Sequence, residues 1–152
     1  MINWRSLVWN MLQSLPDEVA FLSADSIYGP GSLKETPATK PFVMFILRER
    51  DSALNPGVAH WQDVEIHVHD EPGSYVRIDQ TIDAIHGIFP CDDSGFFPWP
   101  QVNPVTTLAW DGALGAAHAI GARFQGDSAD SADDYYGTIT RYASYRLVGS
   151  GQ

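Results

Sequence analysis

The chain contains few of the residues that would point to nucleic-acid binding, export or membrane insertion. Of its 152 residues, 9 are Lys or Arg and 19 are Asp or Glu, so the formal charge is −10. A protein that holds DNA needs basic side chains to displace phosphate counterions, so we expect no specific DNA binding. No apolar run approaches the ~20 residues of a membrane span, and Met1 to Arg5 shows no export signal. These absences predict a soluble protein without a membrane partner.

Signals of catalysis are also missing. Cys91 is the one cysteine, so no internal disulfide can form, which fits a reducing cytoplasm. Its acidic neighbours Asp92 and Asp93 disfavour the thiolate that nucleophilic catalysis needs. The chain has no Gly-x-Ser-x-Gly elbow, Gly-x-x-x-x-Gly-Lys phosphate loop or Gly-x-Gly-x-x-Gly fingerprint. We therefore expect no enzymatic activity, no catalytic residue and no cofactor.

Two polar clusters resemble metal sites only weakly. His67 and His69 lie two residues apart on a predicted strand and so face the same side, but no third ligand follows at a zinc-site spacing. A calcium loop has oxygen ligands at alternate positions, a central Gly and a closing Glu. The acidic segment does not show this pattern at its four residues, Asp127, Asp130, Asp133 and Asp134. The better interpretation is a solvated or subunit-facing polar face for the histidines. For the aspartates it is a solvated loop, with Asp127 or Ser128 capping a short helix, and no bound metal is expected at either cluster.

The clearest structural signal is a strand, a turn and a helix between Trp61 and Phe89. Val64, Ile66 and Val68 alternate with polar residues, which predicts a strand buried on one face. Pro72-Gly73 predicts a turn, and Ser74 is placed to accept a hydrogen bond from an early N–H of a helix. The helix is predicted by an apolar stripe at intervals of three and four, Tyr75, Ile78, Ile82, Ile85 and Phe89. All these signals concern packing, which favours an assembly role.

The remaining patterns predict an α+β fold. A helix is expected over 3–15, capped by Asn3 and ended by Pro16, with a short helical turn over 17–22. The apolar run over 42–47 predicts a central strand covered on both faces. Further strands are expected over 105–110, 119–125 and 136–148, an acidic loop or short helix over 127–134, and long loops at about 23–41 and 90–104. We predict a single domain over 1–152, with a mostly antiparallel or mixed sheet and two main helices packed on one face.

Two stretches of the chain carry a longer pattern. The first, from Val64 to Ile85, is Val-x-Ile-x-Val-x-Asp-x-Pro-Gly-Ser-Tyr-x-x-Ile-Asp-x-x-Ile-x-x-Ile. The second combines Ala-Arg-Phe-Gln-Gly-Asp-Ser at 122–128 with Tyr-Ala-Ser-Tyr-Arg-Leu-Val-Gly at 142–149. Together they resemble the tail terminator proteins of long-tailed bacteriophages. The resemblance covers about the last two-thirds of the chain in order, and the loops at 23–40 and 90–104 fall outside it.

The resemblance implies a virion protein that acts by binding and not by chemistry. Tail terminators form a hexameric ring that caps the tail tube, ends its polymerisation and joins the tail to the head. The implied partners are further copies of the chain, the major tail tube protein and the head-side connector, with assembly in the cytoplasm of a bacterial host. Alternatives are another neck, head–tail connector or tail-completion protein, or, from a different class, a small ligand-binding or hydrolytic domain.

Candidate interface residues follow from position in the predicted fold. A sheet edge or the terminal strand is expected to join subunits, with a polar set consisting of Asp70, Tyr75, Arg77, Arg141 and Arg146. A second set is aromatic and stiffened by neighbouring prolines, and consists of Phe96, Phe97 and Trp99. This set either contacts a partner or folds back over the sheet to close the core. In a ring around a DNA channel, the lumen would be lined by the acidic set Asp127, Asp130, Asp133 and Asp134. Acidity alone equally keeps a protein soluble before assembly.

Overall fold

The computed structural model describes residues 4–31, 37, 39–50, 60–89 and 118–150. The elements in chain order are α1 (Trp4–Leu12), α2 (Leu15–Glu18), a 3₁₀ turn (Ala24–Ser26), β1 (Ile27–Tyr28), β2 (Phe42–Arg50), β3 (His60–Asp70), α3 (Val76–Ile88), β4 (His118–Asp127), β5 (Ser131–Asp133) and β6 (Thr138–Ser150). Within these ranges no helix is long and apolar enough to cross a membrane.

The strands form one six-stranded sheet in the order β1-β2-β3-β6-β4, with β5 also paired to β6. The β1–β2 pair is parallel and every other described pair is antiparallel. The helices α1 and α3 pack with the sheet around one core. The predicted α+β class, with a mostly antiparallel sheet, is confirmed.

The core lies on the helical side of the sheet, as the two-residue alternation predicts. Val64, Ile66 and Val68 of β3 are fully buried there. They lie in register between Leu47, Phe45 and Val43 of β2 and Tyr145, Ala143 and Arg141 of β6. The stripe of α3 covers this face through Ile78, Ile82 and Ile85.

The turn between β3 and α3 lies where the prediction places it. Gly73 has a φ of +135°, a backbone conformation that residues with a Cβ atom rarely adopt. Ser74 Oγ then accepts a hydrogen bond from the Val76 backbone N–H at 3.2 Å. The N-cap residue of α3 is Tyr75, which makes no side-chain capping bond, so the predicted capping residue Ser74 lies one position before the cap.

Several predicted boundaries at the N-terminal end are wrong. The first helix ends at Leu12, and Pro16 lies in the first turn of α2, where a missing N–H costs nothing. The segment predicted as a loop over 23–41 contains the 3₁₀ turn and β1. Ile27 is 2% exposed and pairs with Val43, because tertiary packing gives two β-forming residues a partner that local sequence does not show.

Two other predictions also need correction. The strand β2 is not central: β1 pairs with two of its residues, and Met44 and Ile46 on the face away from the helices are only half-buried. The acidic segment 127–134 is neither a loop throughout nor a helix, because it includes the end of β4 and the strand β5. Backbone pairing with β6 creates β5, and its Ser-Ala-Asp sequence carries no strand pattern. The predicted strand 105–110 and the loop 90–104 lie outside the described residues.

Candidate assembly surfaces

The face of the sheet opposite the described helices is built from the alternate residues of three strands. We call it the helix-free face. It comprises Phe42, Met44, Ile46 and Arg48 of β2, Trp61, Asp63, Glu65, His67 and His69 of β3, and Thr138, Thr140, Tyr142, Ser144, Arg146 and Val148 of β6. Its side chains form three groups, one at each end and one in the middle.

A buried aromatic group occupies one end of the helix-free face. The rings of Phe42 and His69 stack with centroids 4.8 Å apart, and Tyr136 meets both rings edge-on. His69 Nδ1 lies 2.8 Å from Thr138 Oγ1, at the start of β6. Burial lowers the pKa of His69 from 6.5 to about 4, although the negative charge of Asp133 acts in the opposite direction. At neutral pH the imidazole is therefore uncharged.

A hydrogen-bonded row crosses the middle of the helix-free face. Arg48 donates two hydrogen bonds of 3.0 Å to the Glu65 carboxylate, and His67 Nε2 lies 3.0 Å from Glu65 Oε1. The ring of Tyr142 lies 4.8 Å from that of His67. Burial opposes ionisation of Glu65, but hydrogen bonds from Arg48 and His67 outweigh it, so its pKa is lowered. Burial also lowers the pKa of His67, so this contact joins a carboxylate to a neutral donor.

Arg146 occupies the other end of the helix-free face and is held on two sides. Its Nε and Nη2 donate to the two oxygens of Asp63 at 2.8 and 3.0 Å. The guanidinium also lies 3.8 Å from the centroid of the Trp61 ring. This bidentate, stacked geometry is one that Lys cannot reproduce. Arg146, a predicted interface residue, is thus engaged within its own chain.

Four of the other predicted interface residues come together around the start of α3, on the helical side. Arg77 donates to both oxygens of Asp70, at 2.9 and 2.5 Å, and the Asp70 side chain is only 3% exposed. Arg141 donates to Asp79 Oδ1 and lies 3.6 Å from Asp130 Oδ1. Tyr75 OH donates to the backbone carbonyl of Ser131 at 3.2 Å. These contacts fasten the helix to β3, β5 and β6.

The acidic set is divided among different contacts. Asp127 Oδ2 lies 3.2 Å from His86 Nε2, whose ring is also hydrogen-bonded through Nδ1 to Tyr145 OH. Asp133 Oδ1 accepts from the Tyr136 backbone N–H and closes the β5–β6 turn. Asp130 and Asp134 are exposed, and so is Tyr135, at 79%. That this set faces a lumen stays a prediction.

Several of these contacts were missed by sequence reasoning. His67 and His69 share a face as predicted, but they join aromatic rings and Glu65, and no cluster of three potential metal ligands occurs in the described residues. The sequence did show a row of polar residues on β3. Arg48 and Arg146 could have been predicted to form ion pairs with the acidic residues of that row. The aromatic set Phe96, Phe97 and Trp99 lies outside the described residues.

Comparison with known proteins gives a match in fold. A chain from the virion of a native gene transfer agent particle superposes with a TM-score of 0.63. The alignment covers 97% of this chain and 94% of that one, at 14% sequence identity. No protein-family model matches the chain. No curated protein matches it in sequence. The fold is therefore shared with a chain of that virion over nearly the whole of both chains.

Proposed function

We propose that this protein is a structural component of a phage-like virion. The observation that carries the proposal is the fold shared with a chain of the gene transfer agent virion, which extends over almost the full length of both proteins. At that level of sequence identity the fold alone is common, so the function is inferred and not inherited. A virion location and assembly with other virion proteins follow from the same inference.

Within the virion, the role we propose is that of a tail terminator. Support comes from the pattern between Val64 and Ile85, whose residues build β3, the Gly73 turn and α3. The protein would form a hexameric ring on the last ring of tube subunits, stop polymerisation there and present a surface to the head-side connector. Closed symmetry multiplies weak contacts between copies, so no catalysis is required of any residue.

Deletion of the gene and electron microscopy of the resulting particles test this role. Loss of a terminator gives tails of irregular length that are not joined to heads. Tails of uniform length that remain detached would indicate a neck or connector protein instead. Complete, infective particles would contradict a structural role and favour the ligand-binding or hydrolytic alternative.

A second experiment uses the purified chain mixed with isolated tail tubes. We expect six-fold rings, seated on one end of each tube, in negative-stain images. A variant with Trp99 replaced by Ala, compared with wild type for both tube capping and unfolding free energy, shows whether that side chain belongs to the interface or to the core. Purified protein that ignores tubes at high concentration would contradict the terminator role.

A further inference from the structure

The imidazole of His69 is enclosed by side chains of two kinds. Phe42, His67 and Thr138 flank it from β2, β3 and β6, three strands that pair with one another in the sheet. The ring of Tyr136 meets it edge-on from the turn between β5 and β6, with the two ring centroids 5.3 Å apart. We call these four side chains the His69 enclosure. One of its described sides is held by a turn, whereas the others are held by the sheet.

Few described contacts attach the turn, which comprises residues 134–137. Asp133 Oδ1 accepts a hydrogen bond from the Tyr136 backbone N–H at 3.1 Å, and the Tyr136 ring also meets the ring of Phe42. The other three residues of the turn are exposed. Exposed turns with few buried contacts open at a lower free-energy cost than the paired strands of a core. The turn is therefore the side of the enclosure that moves most easily.

A proton on His69 places a cation in a site that is only 2% exposed. Among the described residues, the charge of Asp133 favours this cation and His67 disfavours it. Burial outweighs the attraction of Asp133, so the pKa of His69 is lowered to about 4. The phenol of Tyr136 adds no charge, because burial raises its pKa as well. Hydration of the imidazolium therefore requires that part of the enclosure move aside.

We propose that the turn over 134–137 opens in acid: when His69 gains a proton, the turn moves Tyr136 aside and admits water to the imidazolium, while the sheet stays folded. This opening breaks the described contacts of Tyr136 and no strand pair, whereas admitting water through β2, β3 or β6 breaks backbone hydrogen bonds of the sheet. The strand β5 keeps its own attachments, since its three residues pair with β6 and Tyr75 OH donates to the Ser131 carbonyl. The opening is thus local.

The size and sign of the effect follow from proton linkage. In the open form His69 titrates near its ordinary pKa of 6.5, against about 4 under the closed turn, so the open form binds the proton first as the pH falls. Opening is therefore favoured about 30-fold more at pH 5 than at pH 7.5. The same opening displaces Tyr135, which at 79% is the most exposed large apolar side chain of the described residues, and so alters the surface available to other proteins.

The variant Tyr136→Ala tests whether the turn is the removable side of the enclosure. Circular dichroism checks that the variant is folded, and NMR follows the imidazole of His69 between pH 8 and 4. We expect His69 to titrate near its ordinary pKa of 6.5 in this variant and well below that value in the wild type. Tyr142→Ala is the matched control, since it removes a ring beside His67 and should leave the titration of His69 unchanged. A wild-type titration of His69 in folded Tyr136→Ala overturns the proposal.

Amide exchange in the wild type separates opening of the turn from global unfolding. After correction for intrinsic exchange rates, protection of the Tyr136 N–H should fall by up to about 30-fold between pH 7.5 and 5. It should respond little to low urea concentrations, because a local opening exposes little surface, whereas the N–H groups of Val64 and Ile66 in β3 should lose protection in urea. His69→Gln should remove the pH dependence at Tyr136, and His67→Gln should retain it.

Two results of the exchange experiment contradict the local opening. If the Tyr136 N–H shares the protection and the urea dependence of the β3 amides, the enclosure opens only by global unfolding and the proposal is overturned. If its pH dependence is equal in the wild type and in His69→Gln, protonation of His69 does not drive the opening, and the proposal is overturned as well.

Discussion

The buried imidazole of His69 predicts a loss of stability in mild acid. Its pKa is about 4 in the folded protein, against the ordinary value of 6.5 in the unfolded chain. Because the folded pKa is the lower one, the unfolded chain takes up the proton first as the pH falls. The stabilisation from neutral His69 is therefore complete above pH 6.5 and is lost between pH 6.5 and about 4.

The size of this effect follows from the two pKa values. Each pKa unit of difference corresponds to about 1.4 kcal/mol, so the unfolding free energy should fall by about 2 kcal/mol between pH 7.5 and 5, and by about 3 kcal/mol by pH 4. That is a large share of the unfolding free energy of a small domain, which is roughly 5–15 kcal/mol. The physical origin is burial of the imidazole beside the rings of Phe42 and Tyr136, which keeps water from its charged form.

Urea unfolding at pH 7.5, 6, 5 and 4 measures the effect. The variant His69→Gln has no imidazole to titrate at this position. Its unfolding free energy should therefore fall less than that of the wild type as the pH is lowered, and the difference should equal the losses given above for His69. Ile85→Val serves as the matched control, since it lowers stability without removing a titrating group and should keep the wild-type pH dependence. Equal pH dependence in wild type and His69→Gln would refute the assignment of His69 as the buried neutral group.

The remaining predictions concern packing and ion pairs. Replacing Ile85 by Ala removes a fully buried side chain and should lower the unfolding free energy by about 3 kcal/mol, whereas exposed Gln80→Ala should change it by less than about 0.5 kcal/mol. Arg77→Ala leaves the nearly buried carboxylate of Asp70 without its guanidinium and should cost about 2 kcal/mol. Arg48→Ala removes a side chain that is 53% exposed and should cost less than about 1 kcal/mol, so equal losses for the two arginines in urea unfolding would contradict this ranking.

Local patterns in the sequence were sufficient for β3, the Gly73 turn and α3. Their periods of two and of three to four residues reflect burial on one face, which the chain records residue by residue. The order of strands is not recorded in this way. That β6 lies between β3 and β4, and that Ser131–Asp133 pairs with it, depends on contacts between distant parts of the chain. The same holds for β1, whose two residues become a strand only beside Val43.

The candidate site was predictable in its residues more than in their roles. Polar residues at the β3–α3 junction were singled out, and Asp70, Tyr75, Arg77 and Arg141 do lie around it. Their hydrogen-bond partners could not be foreseen, because a charged side chain in a sequence pattern fits an internal ion pair as well as an external one. Exposure decides between the two, and exposure is a property of the fold.

The three predicted interface arginines have internal partners, and this bears on how copies would join. Arg77, Arg141 and Arg146 hold Asp70, Asp79 and Asp63 in place. Using any of them for a neighbouring subunit would break contacts that fasten α3 or order the helix-free face. Substitution of these arginines should therefore weaken folding before it weakens assembly.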